Sequence, residues 1–204
     1  MLQLILDHTN AFALTKRGRQ WQNIAMMELR STIGLLFFLG LTKSGHERVQ
    51  SFWSPGPFAR PLCQSTMSGT RFMDILTMLR FDDMSTHAQR RLTDKFASIR
   101  EVFESFAASC RRYFSPGDCL TVDEQLVAFR GRCSFRQYMP AKPAKYGLKF
   151  WACVDSDSHY FCIIQPYIGK EGGRREFELG ARVVKDMVQP FYGTGRNVTC
   201  DNFF

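Results

Sequence analysis

The hydrophobic pattern of the chain changes period once, at the turn Ser115-Pro116-Gly117-Asp118. Before it, apolar residues recur every three or four positions. After it, they gather in short runs rich in Val, Ile, Phe, Tyr, Thr and Cys. The first spacing belongs to helices and the second texture to strands, and the two do not interconvert. A chain of 204 residues with one such change is expected to be α+β. A helical region, 1–116, would precede a sheet-bearing region, 117–204.

In the first half, Asn23 to Leu41 reads as a helix with Glu28 and Arg30 on its polar side, ended by Gly40 or Gly45. Its apolar run, Ile33 to Leu41, is far below the ~20 residues of a membrane span and is expected to be a buried helix. The prolines and glycine of "FWSPGPFARPLC" argue against regular structure there. Phe72, Ile75, Leu76 and Leu79 share one helical face. Thr93 or Asp94 is placed to cap a further helix on which Phe96, Ile99, Val102, Phe103, Phe106, Cys110 and Tyr113 form a stripe. The 19 Phe read first as core, because they recur at this spacing.

In the second half, "CLTVDE", "LKFWACVD" and "HYFCIIQPYIG" read as strands, the last two joined by the hairpin "DSDSH". "LGARVVKDMVQPF" has helical spacing and stops at Pro190; "NVTC" is a fourth strand. The expected order is β-β-β-α-β, without internal repeat or low-complexity segment.

The net charge of +8 favours a polyanionic partner, nucleic acid ahead of an anionic membrane surface. No basic segment precedes the apolar patch of "MLQLILDHTN", so no secretory signal is visible. The 7 Cys include no CxxC pair and are odd in number. This argues against a disulfide framework or a zinc site, and for buried thiols in a reducing compartment. His8, His46, His87 and His159 are dispersed, and no Gly-rich phosphate loop or Ser-His-Asp arrangement is present. Neither a membrane association nor a small-molecule substrate is expected.

Two strand-like runs deliver aspartates, Leu120-Thr121-Val122 to Asp123 and Val198-Thr199-Cys200 to Asp201. If these strands are neighbours, the carboxylates lie side by side and repel unless a divalent cation sits between them. Mg²⁺ held by carboxylates and water suits phosphoryl transfer. The same spacing also fits surface aspartates at strand ends. Glu124 is expected to point to the opposite face of its strand. Asp155 and Asp157 read as hairpin residues.

Between Gln125 and Val154 there is no acidic residue. Arg130, Arg132, Arg136, Lys142, Lys145 and Lys149 fall there, among Phe129, Phe135, Tyr138 and Tyr146. Cations neutralise phosphates and aromatics stack on splayed bases, so this is a candidate DNA-binding face; a solvated basic loop with core aromatics is the alternative. Pro140 and Pro143 suggest an extended loop holding Lys142 and Lys145 outward.

The long segment "LTVDEQLVAFRGRCSFRQYMPAKPAKYGLKFWACVDSDSHYFCIIQPYIGK", with "NVTCDNFF", resembles the core of piggyBac-type transposases and the cellular proteins derived from them. The resemblance extends back through "YFSPGDCL", "TDKFASIREVFESF", "MSGTRFMDILTMLRFDD", "ELRSTIGLLFFLGLTK" and "LDHTNAFAL", and so covers nearly the whole chain. It implies a helical dimerisation and DNA-binding region, then an RNase H-like catalytic domain in which three aspartates bind two divalent ions, Mg²⁺ or Mn²⁺. Asp123 matches the first and Asp201 the second. The implied activity is nuclear cut-and-paste DNA transposition: nicking at transposon ends, hairpin formation and insertion at TTAA. No residue matches the third aspartate, and the family's Cys-rich zinc module has no counterpart. The resemblance thus implies a truncated copy with little or no catalysis of its own, an exposed sheet edge, and DNA and a second or related transposase copy as partners. A non-catalytic DNA-binding or interaction module is the alternative.

Overall fold

The structure is a computed structural model and describes residues 1–56, 59–169 and 177–201. It packs as two units, Met1–Arg90 with Ala97–Val102, and Arg91–Phe96 with Phe103–Phe204.

In the first unit, α1 (Leu2–Arg17) is followed by α2 (Met26–Leu41), α3 (Pro61–Thr66) and α4 (Gly69–Met78). α2 starts where Glu28 folds back: the Ala25 amide donates to Glu28 Oε2 at 3.2 Å. Arg71 of α4 donates to both oxygens of the same carboxylate, at 2.8 and 3.0 Å, with its guanidinium 5.1 Å from the Trp21 ring. The Arg71 bonds are the main reason that Glu28 is held below the usual carboxylate range. Ser68 caps α4 by accepting from the Arg71 amide.

Ile5, Leu6, Trp21, Leu29 and Ile75 form one core, and Leu35, Phe52, Cys63 and Phe72 a second. The face expected on α4 is present, with Phe72 and Ile75 buried and Leu76 and Leu79 half-buried. α2 departs from expectation. Leu29, Thr32 and Leu35 are buried, but Met27, Phe37 and Leu41 are 69%, 75% and 83% exposed. A helix packed along one side buries one stripe only, even where its sequence is apolar all round. The proline-rich stretch is also more regular than expected. Val49–Trp53 is a 3₁₀ turn, and Pro61 opens α3 at the first helical position, where its missing N–H costs nothing. Residues 57 and 58 lie outside the described set.

α5 (His87–Thr93) has no counterpart in the sequence reading. Its His87 Nδ1 lies 2.7 Å from the buried Asp82, which also accepts from Arg90 at 2.8 Å. α6 (Arg100–Tyr113) starts later than its expected cap. Asp94 instead accepts from the Phe96 amide at 2.9 Å and closes a turn. Of the expected stripe, Phe96 is buried and meets Phe103 and Phe135, and Phe103 stacks on Phe150 at 5.6 Å. Phe106 and Tyr113 are exposed.

The second unit holds β1 (Cys119–Ala128), β2 (Gln137–Tyr138), β3 (Tyr146–Asp155), β4 (Phe161–Pro166), α7 (Leu179–Val188) and β5 (Asn197–Cys200). The four expected strands and the helix are present; the two-residue β2 is the addition. The order is β2-β3-β1-β5, with β4 also on β3. β1 runs antiparallel to β3, from Leu120↔Asp155 to Ala128↔Gly147. Gly147 is required there, because a Cβ would collide with the Val127 carbonyl. β1 and β5 are parallel, which needs a crossover, and α7 supplies it. Val183, Met187 and Val188 of α7 pack on Leu120, Val122, Trp151 and Cys153, one face of the β1–β3 pair. Among the described residues β5 ends the path of strands and is exposed throughout.

The hairpin between β3 and β4 turns on Asp155. Its carboxylate accepts from Gly117 N at 2.8 Å, Ser158 N at 2.9 Å and Ser158 Oγ at 2.6 Å. These bonds, that of the Ser158 hydroxyl first, hold it below the usual carboxylate range. Asp155 is therefore a turn residue, as its sequence context suggests.

Candidate metal centre and basic face

The register of β5 brings the two aspartates together. Arg196 donates to the Gly117 carbonyl at 2.8 Å and to that of Pro116 at 2.9 Å, while the Asn197 amide donates to Asp118 O at 2.8 Å. The start of β5 is thus fixed to the turn before β1. From there Cys119↔Asn197 runs to Val122↔Cys200, and one step further lie Asp123 and Asp201.

Asp123, Glu124 and Asp201 each offer a carboxylate oxygen within 4.8 Å of the others. Asp123 and Asp201 are exposed, and the Glu124 side chain is 14% exposed. The alternation expected of Glu124 holds along β1, in phase with Val122, but the expectation that it stands apart from Asp123 is corrected: its carboxylate oxygen lies within 4.8 Å of those of Asp123 and Asp201. The donor set is all carboxylate oxygen, without thiol or imidazole, and fits a hard cation of the Mg²⁺ or Mn²⁺ type.

Two lysines of the basic segment turn toward this cluster. Lys142 Nζ lies 3.2 Å from Glu124 Oε1 and 3.3 Å from the Glu124 carbonyl. The outward orientation expected of Lys142 is therefore not found. Its loop is curled rather than extended, closed by Met139 N to Lys145 O at 2.7 Å and Lys145 N to Lys142 O at 3.0 Å. Lys149, on β3, holds its ammonium 3.7 Å from the Trp151 ring centre. Burial pushes Lys149 below the usual lysine range, and Glu124, Asp123 and Asp201 partly offset this.

The remaining cations, Arg130, Arg132, Arg136 and Lys145, are exposed. Arg130, Arg136, Pro143, Ala144, Lys145 and Tyr146 line an open recess of about 460 Å³. Arg136 donates to the carbonyls of Arg130 and Gly131, both at 3.2 Å, with its guanidinium 5.4 Å from the Tyr146 ring. Tyr146 in turn packs on Tyr138, ring centres 4.7 Å apart. Among the interleaved aromatics, Phe135 belongs to the core and Phe129, Tyr138 and Tyr146 are exposed. Sequence reasoning missed Glu124 and the inward turn of Lys142. The one available signal was that Glu124 is the last acid before a segment that contains none.

Asp123 and Asp201 thus follow the paired stretches of adjacent parallel strands in one mixed sheet. A family model described as Transposase IS4 matches residues 1–204. The piggyBac transposase in its synaptic complex with hairpin DNA superposes with a TM-score of 0.87 at 33% identity, over 100% of this chain and 43% of that one. PiggyBac transposable element-derived protein 3 of Homo sapiens is 26% identical over 187 residues, 90% of this chain and 30% of the relative. The human chimeric ERCC6-PGBD3 protein matches at 26% over the same length, 17% of its own. The chain belongs to the piggyBac-type transposases, and the expected RNase H-like fold is present. It spans less than half the length of these relatives.

Proposed function

We propose that the chain is a DNA-binding protein of this family whose Asp123 and Asp201 hold a divalent cation, Mg²⁺ or Mn²⁺. The convergence of these two carboxylates at the ends of adjacent parallel strands carries the reading. When bound, the cation supplies charge stabilisation at a phosphodiester and activation of the attacking oxygen. Arg130, Arg132, Arg136 and Lys145 neutralise backbone phosphates, and Tyr146 and Tyr138 present faces for stacking. Lys149 belongs to this basic face but stands next to the carboxylates. The ancestral activity is DNA cleavage and strand transfer at TTAA, in the nucleus. Two aspartates, with Glu124 engaged by Lys142, position a cation less well than three. These 204 residues alone are therefore expected to bind DNA with little nicking.

A second reading, a protein-interaction module that pairs with a second copy or a related transposase, draws on the exposed Met27, Phe37 and Leu41 of α2. Both are tested by one set of measurements: DNA binding and nicking against salt and Mg²⁺, with Asp123→Ala/Asp201→Ala as control, and sedimentation of the protein alone. Salt-sensitive binding with weak nicking lost in the double variant supports the first reading. Absence of DNA binding by folded protein that self-associates supports the second.

A further inference from the structure

Glu124 is the third carboxylate of the cluster, and Lys142 holds it. The Lys142 ammonium bonds to Glu124 Oε1 at 3.2 Å and to the Glu124 carbonyl at 3.3 Å, a two-point hold on one residue. The lysine reaches it from a closed turn, with Lys142 N on Met139 O at 3.1 Å and Lys145 N on Lys142 O at 3.0 Å. The Glu124 and Lys142 side chains are 14% and 31% exposed, so the pair is partly shielded from solvent. An ammonium on a carboxylate oxygen occupies a lone pair that a cation needs and adds a like charge beside the cation.

The geometry points to Lys142 as a latch that occupies Glu124 Oε1 in competition with a divalent cation held by Asp123 and Asp201. This rests on the metal reading above and deepens it: Lys142 sets how many carboxylates the site offers. With Lys142 in place the three carboxylates already lie within 4.8 Å of one another, so engagement blocks Glu124 Oε1 rather than moving it, and release would free that oxygen for the cation. Lys142 is thus a positioning residue rather than a phosphate contact.

The test is Mn²⁺ affinity of the full chain by calorimetry or electron paramagnetic resonance, which needs no catalysis. Circular dichroism melts establish that each variant is folded. Lys142→Met is expected to tighten Mn²⁺ binding about tenfold, because ligand charge count sets affinity at all-oxygen sites. Lys142→Arg keeps the pair and should restore the wild-type Kd. Lys145→Met removes the same charge from the same loop and should change it far less. The gain of Lys142→Met should vanish in Lys142→Met/Glu124→Gln. A gain that persists undiminished in that double variant overturns the latch in favour of plain charge removal. A loss in Glu124→Gln as large as in Asp123→Asn also overturns it, since Glu124 would then already be a ligand. If wild type and Lys142→Met alike show no Asp123-dependent Mn²⁺ binding, the metal reading itself fails and the latch with it. Asp123-dependent binding without the Lys142 effect removes the latch alone.

Discussion

Single side chains in this protein do different work according to which groups converge on them. Asp123 and Asp155 are both strand aspartates on β1 and β3. Asp155 receives three donors and closes the hairpin, whereas Asp123 accepts from the Glu124 amide at 2.6 Å and lies beside two other carboxylates. The donors at Asp155 give it a pH signature. Its folded pKa lies below the ordinary value, so its stabilisation is present above the unfolded carboxylate range. That stabilisation is lost as pH falls from about 4 through the folded value. Asp155→Ala should therefore lower the melting temperature by several degrees at neutral pH. The gap from wild type should close progressively in melts below about pH 4. A gap that stays constant into acid would mean that the carboxylate charge is not what matters.

At the scale of elements, α2 shows how far a hydrophobic segment can be read. Its existence and C-terminal end follow from the sequence, but which residues it buries depends on where its neighbours lie. Leu35 and Phe37 are two positions apart; Leu35 is 2% exposed and Phe37 75%. Leu35→Ala should cost about 2–5 kcal/mol, the range for truncating a packed core leucine. Phe37→Gln should change stability by no more than about 0.5 kcal/mol. Urea unfolding of the two variants checks this, and equal losses would mean that Phe37 is covered in solution. The sheet elements were more legible. β3 and β4 show β-rich composition between turn residues, and α7 shows helical spacing before Pro190. β2 was not, because a two-residue strand has no periodicity to detect.

For the molecule as a whole, the +8 charge gives a quantitative expectation for DNA. Each phosphate neutralised contributes about 0.9 to the slope of log affinity against log salt. Replacing Arg130, Arg136 and Lys145 one at a time by Gln should lower the slope by about 0.9 each where the residue meets a phosphate. Lys142→Gln should leave it nearly unchanged, since that ammonium is engaged with Glu124. Fluorescence anisotropy over a salt series reads this directly. Equal slope changes for all four would place Lys142 on DNA. Among the described residues no helix is long and apolar enough to cross a membrane, as the short apolar run of α2 indicated.

Local sequence carries the change from helices to strands, the four longer strands and the helix before Pro190. Each of these rests on local periodicity, turn chemistry or a long specific resemblance, all of which are written in consecutive residues. The parallel pairing of β1 with β5, which aligns Asp123 with Asp201, was only conditional there and is a property of the folded sheet. Tertiary structure decided that Glu124 joins the two aspartates, that Lys142 turns inward, and that α2 leaves Phe37 and Leu41 uncovered. These depend on the reach of a long side chain, the curl of a loop and the side from which a neighbour packs. Alternation along a strand or a helix fixes where a Cβ points, not where a carboxylate or an ammonium three or four bonds further out comes to rest.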